Sequence, residues 1–279
     1  MTISVDHIPC DMTVTTDTSH TIAALQTILA KGGQWLPIDP PSPGTTTVLE
    51  LLARNLSGPR RFGYGTIRDY VIGMKIRLAD GQEIKCGGKV VKNVAGYDLQ
   101  KLFIGADNTL GAIVEATFKL RPRPECEAMI ARRCESLSEA SSTIERIIDS
   151  PMTPAILDLH AVNATAPVVV LGFDGTREEV DWQITRASEL GVAEPANLEY
   201  EKTFWESAPQ SIQKISVLPS KLIAAVEQYG GTRFVARAGN GILYYHGEPP
   251  SQENQLPRHL WQLTKSAFDP KNLLASLAS

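Results

Sequence analysis

Two prolines one residue apart, Pro122 and Pro124, divide the chain into two stretches of different rhythm. Proline fixes φ and donates no backbone hydrogen bond, so a strand that runs into such a pair has to end there. The strand that ends is LGAIVEATFKLRPRP, a long alternation of apolar and polar residues. Upstream, TIRDYVIGMKIRLADGQEIKCG reads as two strands around a hairpin turn at Asp80-Gly81. DMTVTTD (residues 11–17) reads as a short strand. TSHTIAALQTILAKGG reads as a helix with Thr18 or Ser19 as N-cap and Ile22, Leu25, Ile28 and Leu29 on one face. Gly32-Gly33 closes it. A second helix is expected from Thr46 to about Arg54, capped by a threonine, and a third in DLQKLFIG between Asp98 and Gly105. The four prolines of QWLPIDPPSPG demand a loop. Residues 1–124 are therefore expected to form an α+β unit dominated by antiparallel pairing.

From Glu125 the order is strand (EAMIARR), helix (SLSEASSTIERIID), two strands (AILDLHA, PVVVLGF) and helix (TREEVDWQITRASELG). That is the β-α-β-β-α order of a ferredoxin-like unit. KISVLP, SKLIAAVEQYGG and the hairpin TRFVARAGNGILYYHG, turning at Gly239-Asn240-Gly241, extend it, and a terminal helix covers about Glu253 to Ala267. The second domain is expected to span 125–279.

Several function classes drop out. A formal net charge of -4, with no block of Lys or Arg, gives a nucleic-acid backbone nothing to bind. No apolar run is long enough to cross a bilayer, and MTISVDHIPCDMTVTTD lacks a signal-peptide pattern, so the expected location is cytoplasmic. Cys10, Cys86, Cys126 and Cys134 lack metal-ligand spacing and read as small buried hydrophobes. No nucleophile elbow, zinc-protease or P-loop motif occurs. The histidines at 7, 20, 160, 246 and 259 are scattered, although His160 and His246 both fall in expected strands and could face one sheet.

Two glycine-containing stretches remain: SGPRRFGYG at 57–65 and KNVAGYDLQKLFIGADNTLG at 92–111. Either they are tight turns of the domain, or their backbone N–H groups face a phosphate or a cofactor.

Together with QWLPIDPP, the run from LSGPRR through IRDYVIG and KNVAGYDLQKL to LRPRP resembles the FAD-binding domain of the vanillyl-alcohol oxidase/PCMH superfamily. More narrowly it is similar to the family of glycolate oxidase FAD-binding subunits. The likeness is close from about Gln34 to Pro124, and fainter beyond, through KISVLP, TRF and KSAFDP. It implies a PCMH-type FAD-binding domain followed by an α+β, ferredoxin-like FAD-linked oxidase C-terminal domain.

The resemblance also implies a site. Asp39, Pro40 and Pro41 would lie near the isoalloxazine, and Thr47, Asn55, Ser57 and Gly58 near the pyrophosphate and ribityl chain. Gly105, Thr109 and Gly111 would line the flavin side, with Ile113 and Val114 beside the adenine. The implied activity is FAD-dependent oxidation of a 2-hydroxy acid, in which flavin N5 accepts hydride while a base takes the hydroxyl proton. No such base is evident here. The implied partners are a larger catalytic flavoprotein subunit, to which this chain would be accessory, and an iron–sulfur subunit. Any attachment to the inner membrane would come through them.

The chain departs from the family pattern in places that concern the cofactor. It starts after the family's small Gly-rich pyrophosphate-loop subdomain, so the FAD-binding domain is expected to be shortened at its N-terminus. Leu49 and Glu50 stand where a Gly-Gly is usual, and Ala106 and Asn108 replace a serine and a glycine. The Asn-Pro-Gly common after FDP is also missing. These changes suggest a second reading, a flavin-free docking subunit of the same complex, with an exposed apolar patch and with Arg60 and Arg61 as candidate partner contacts.

Overall fold

The alternating segments of the sequence pair antiparallel throughout, and the connections between them carry the helices. The structure, a computed structural model, describes residues 5–89, 98–162, 166–231, 233–249 and 258–274. In chain order the first elements are β1 (Val5–Ile8), β2 (Thr13–Asp17), α1 (Ile22–Ala30), β3 (Gln34–Trp35), α2 (Val48–Ala53) and α3 (Arg61–Tyr64). Next come β4 (Val71–Arg77), β5 (Glu83–Gly87), α4 (Gln100–Phe103), β6 (Ala112–Lys119) and β7 (Arg121–Pro122). Beyond the prolines lie β8 (Cys126–Arg133), α5 (Leu137–Ile148), β9 (Ile156–Ala161), β10 (Val168–Gly175), α6 (Arg177–Glu189) and β11 (Glu194–Pro195). The chain closes with α7 (Glu199–Glu206), β12 (Ile212–Ser216), α8 (Leu222–Ala225), β13 (Phe234–Arg237), β14 (Ile242–His246) and α9 (Arg258–Phe268).

These elements form two compact units. The first comprises Met1–Ser57, Thr66–Arg123 and Gln252–Ser279, the second Gly58–Gly65 and Pro124–Ser251. The terminal helix α9 therefore counts with the first unit, whereas the sequence pattern had placed it in a second domain running to the end of the chain.

In the first unit a five-stranded sheet runs β1-β2-β6-β4-β5. The β4–β5 hairpin turns where Asp80-Gly81 was expected to turn it, with Gly81 at φ +88°. Its core gathers Val14, Leu25, Leu29, Leu52, Phe103 and Phe118, all fully or nearly fully buried. The α1 cap is Thr21, not Thr18 or Ser19: its hydroxyl accepts from the Ala24 amide at 3.3 Å. Thr18 spends its hydroxyl on the Ile113 carbonyl, and Ser19 folds over the Asp17 carboxylate. Neither expected cap is used: a distant carbonyl takes Thr18, and the neighbouring Asp17 carboxylate takes Ser19. KNVAGY, at 92–97, lies outside the described residues.

In the second unit seven antiparallel strands run β11-β8-β10-β9-β13-β14-β12. Alternate residues feed two faces, as the pleat requires. Leu157, Leu171, Ala236 and Leu243 pack under α5, α6 and α8, while Val170, Val235 and Tyr244 pack under α7. The segment 58–65 is built into this unit. Arg60 reaches Glu127 on β8 (3.3 Å) and Asp174 on β10 (3.4 Å), so the arginine expected to meet a partner has acidic partners in its own unit. Two glycines admit the segment. A Cβ on Gly63 would lie 2.7 Å from the Ala155 Cα, and one on Gly239 would lie 2.0 Å from the Phe62 ring.

That contact is testable. Gly239→Ala should overpack the site and lower the stability of the second unit by about 1–3 kcal/mol. In calorimetry the Gly239→Ala/Phe62→Leu double variant should lose less than the sum of the two single losses.

Candidate functional site

The residues implied to hold a cofactor sit in the first unit, except Gly58, which falls in the second. Asp39, Pro40 and Pro41 lie in the loop between β3 and α2, where the Pro41 carbonyl accepts from the Thr46 hydroxyl at 2.6 Å. Thr47 and Asn55 flank α2, with about 9 Å of helix between them. Ser57 is buried just beyond.

The 105–111 turn is the best-defined part. Gly105, Asp107 and Asn108 all have positive φ (83°, 48° and 58°), which is why a glycine and an asparagine stand there. The Gly105 and Asp107 amides each donate at 2.9 Å to the last carbonyls of α2, on Leu52 and Ala53. Thr109 is buried and its hydroxyl donates to the Ala106 carbonyl at 2.6 Å. Gly111 is required by packing: a Cβ there would lie 2.6 Å from Ile76. Ile113 is a core residue, and its carbonyl accepts from Thr18. Val114 lies at a β-bulge between Ile113 and Glu115 and has no cross-strand partner in either ladder of β6. Its backbone groups are therefore the ones that a bulge leaves over.

Two observations test this site against a flavin dinucleotide. Asn55 Oδ1 and Asn108 Oδ1 are buried without a donor, and both belong to the surroundings of the turn. A buried acceptor left without a partner costs about 1–3 kcal/mol, and ribityl hydroxyls or ring N–H groups are donors of the right kind. The turn therefore fits. The N-terminus of α2 does not fit a phosphate. Glu50 completes a capping box, and its carboxylate accepts from both the amide (2.9 Å) and the hydroxyl (3.1 Å) of Thr47. Donors that a phosphate would use are already held by an anion.

The second unit holds a charged cluster that no sequence pattern announced. Arg237 on β13 lies directly across from Asp158 on β9. It is 1% exposed and Asp158 0%. The guanidinium reaches Asp158 Oδ2 at 2.5 Å and Glu201 of α7 at 2.6 and 2.8 Å. The Tyr200 hydroxyl donates to the same Asp158 oxygen at 2.7 Å, and the Trp205 indole N–H donates to Glu201 at 2.9 Å. His160 stacks flat on Tyr200, with ring centroids 4.3 Å apart. His246 packs against Phe204, and its Nδ1 lies 2.7 Å from the Ser211 hydroxyl. The two strand histidines thus do share one sheet face, beneath α7. The signal for this helix was only Tyr200 and Phe204 one turn apart, too short to stand out.

Two carboxylates against one guanidinium leave one negative charge in excess. Burial, opposed by Arg237 and aided by Glu201, raises the Asp158 carboxyl to about 6. Burial likewise lowers the His160 imidazole to about 4. Between pH 4 and 6 the folded chain then keeps a proton on Asp158 that the unfolded chain has lost, so this group's contribution to stability falls as pH rises. The folded chain also keeps His160 neutral where the unfolded chain is charged, so that contribution rises over the same window. The slopes oppose. His160→Gln should uncover the Asp158 slope, a loss of up to about 3 kcal/mol as pH rises from 4 to 6. Asp158→Asn should uncover the reverse slope, rising toward pH 6.5. Urea denaturation of the three proteins across pH 4–7 measures both.

Comparison with known proteins covers the same ground. Residues 1–87 match the family model described as an FAD binding domain. The glycolate oxidase subunit GlcD of Bacillus subtilis is 41% identical over 126 residues, 45% of this chain and 27% of that protein. The glycolate oxidase subunit GlcE of Escherichia coli is 37% identical over 141 residues, 50% of this chain and 40% of that one. A D-lactate dehydrogenase of Archaeoglobus fulgidus is 35% identical over 127 residues, 44% of this chain and 29% of that one. The matches thus span less than half the length of these curated relatives. Among solved structures, alkyldihydroxyacetonephosphate synthase matches 98% of this chain and 65% of its own, with a TM-score of 0.74 at 16% identity. The first 87 residues are thus similar to an FAD binding domain, the chain is similar in sequence to glycolate oxidase subunits, and its fold is that of the synthase.

Proposed function

We propose that this chain is the FAD-binding subunit of a complex of the glycolate oxidase type that oxidises a 2-hydroxy acid. The observation that carries the proposal is the 105–111 turn, beside which the buried acceptors of Asn55 and Asn108 lack donors. The match of residues 1–87 to an FAD binding domain supports FAD as the group that supplies them. Bound FAD would supply this subunit with a two-electron redox group. Gly105, Thr109 and Gly111 hold the turn in shape beside it, Asn55 and Asn108 accept its hydroxyl or N–H donors, and the Val114 bulge offers backbone groups to the adenine edge. The pyrophosphate is left to donors outside α2, because Glu50 holds those of Thr47.

The relatives named as glycolate oxidase subunits support membership of a multi-subunit complex. Within it we assign substrate oxidation to a larger flavoprotein subunit and electron uptake to an iron–sulfur subunit. The four cysteines here are free, and among the described residues no cluster of ligands for a metal occurs. Leu260 and Leu263, 55% and 67% exposed on α9, offer an apolar face to a partner. No helix among the described residues is long and apolar enough to cross a membrane. A second reading, a docking subunit without flavin, is favoured by one observation: the closed capping box at Thr47.

Released FAD, quantified after denaturing the chain purified alone and purified with its co-expressed partners, separates the readings. About one FAD per chain alone, or FAD only in the complex, supports the flavin reading. No FAD in either preparation leaves the docking reading.

A further inference from the structure

We infer that Lys265 is a positioning residue for the cofactor: from the terminal helix it fixes the carbonyl side of the 105–111 turn. The inference rests on the flavin reading of that turn. Lys265 is 6% exposed, and a buried ammonium needs a counter-charge and acceptors for its three donors. It has them: Asp269 Oδ2 at 2.6 Å, the Thr109 carbonyl at 2.8 Å and the Leu274 carbonyl at 3.1 Å. Asp269 is 2% exposed and is held in turn by the Leu273 and Leu274 amides, each at 2.8 Å. Phe268, between them in sequence, packs edge-on against Phe103 at 5.5 Å, at the end of the helix that leads into the turn.

The turn is thus gripped from two sides. The α2 carbonyls hold the amides of Gly105 and Asp107, and the ammonium holds the carbonyl of Thr109. Between these grips lies Asn108, whose side-chain oxygen is buried without a donor. Its left-handed backbone is kept in place by its neighbours' bonds. Without Lys265 the Thr109 carbonyl loses its charged donor, and the turn can relax away from the geometry that aims Asn108. A lysine in this place does more than fasten a helix, since Phe268 already supplies apolar anchorage.

The test uses whichever preparation carries FAD, the chain alone or the complex. Lys265→Met, Lys265→Gln and Phe268→Ala are compared with the parent by FAD titration, by the absorption spectrum of bound flavin and by hydrogen exchange over 105–111. Lys265→Met should bind FAD roughly tenfold to a hundredfold more weakly, with an altered flavin band and faster exchange in the turn. Lys265→Gln, which keeps a neutral donor, should fall between Lys265→Met and the parent, and it carries the test if Lys265→Met does not fold. Phe268→Ala should loosen α9 and lower thermal stability while changing FAD affinity much less. Parental affinity and spectrum in the Lys265 variants would overturn the inference. So would an equal loss in Phe268→Ala, because the effect would then be general loosening of the helix. A parent without FAD in every preparation would instead overturn the flavin reading, and this role with it.

Discussion

Burial of a cation is the constraint on which each unit's architecture turns. Arg237 and Lys265 are both almost wholly removed from water, and an unpaired charge in that position is not tolerated. Each is matched by a carboxylate from a late part of the chain: Glu201 of α7 for Arg237, and Asp269 beyond α9 for Lys265. The pairing gives these helices a defined seat where apolar contact alone would allow sliding. A buried pair of this kind is weak evidence for net stability. Removing one partner is costly, however, about 3–5 kcal/mol, because the other is then stranded. Register follows from the same need, since Arg237 can meet Asp158 only if β9 and β13 pair as they do.

The two ends of α2 illustrate how one short helix supports opposite conclusions about a ligand. At its N-terminus the amide and hydroxyl of Thr47 are consumed by Glu50, which favours the helix and disfavours a phosphate. At its C-terminus the carbonyls of Leu52 and Ala53 are used to pin a loop of left-handed residues, leaving two side-chain amide oxygens without donors. The first is a finished piece of local structure and the second is unfinished chemistry. A ligand is better sought where the protein has left hydrogen bonds unmade.

Much of the fold was legible residue by residue. The Asp80-Gly81 hairpin, a threonine cap on α2 and the β-α-β-β-α order after Pro124 are local patterns, and each corresponds to an observed element. The long strand before Pro122 instead ends early, at Lys119, with Arg121–Pro122 a separate strand paired to β3. Most of what was misread depended on distant partners. Thr18 is as good an N-cap as Thr21 in isolation, and only the position of the Ile113 carbonyl disqualifies it; Ser19, by contrast, is held locally by Asp17. Arg60 reads as a candidate contact for a partner until β8 and β10 bring Glu127 and Asp174 to it. Helix α7 was missed because its eight residues bury mainly Tyr200, Glu201 and Phe204, and one of those is charged. The charge is buried because Arg237 waits beneath it.

By itself the sequence determined the alternation that makes antiparallel strands, the turns and caps that end them, and the family likeness carried by LSGPRR and IRDYVIG. Those features act over a few residues, where steric and hydrogen-bonding preferences are set by the chain alone. Only the tertiary structure decided which charges are buried and with whom, and which amide oxygens are left over. It also decided that a lysine near the end of the chain supports a turn 156 positions earlier in the sequence. The physical reason is that desolvation and pairing are properties of a place rather than of a residue, and places exist only after the chain has folded.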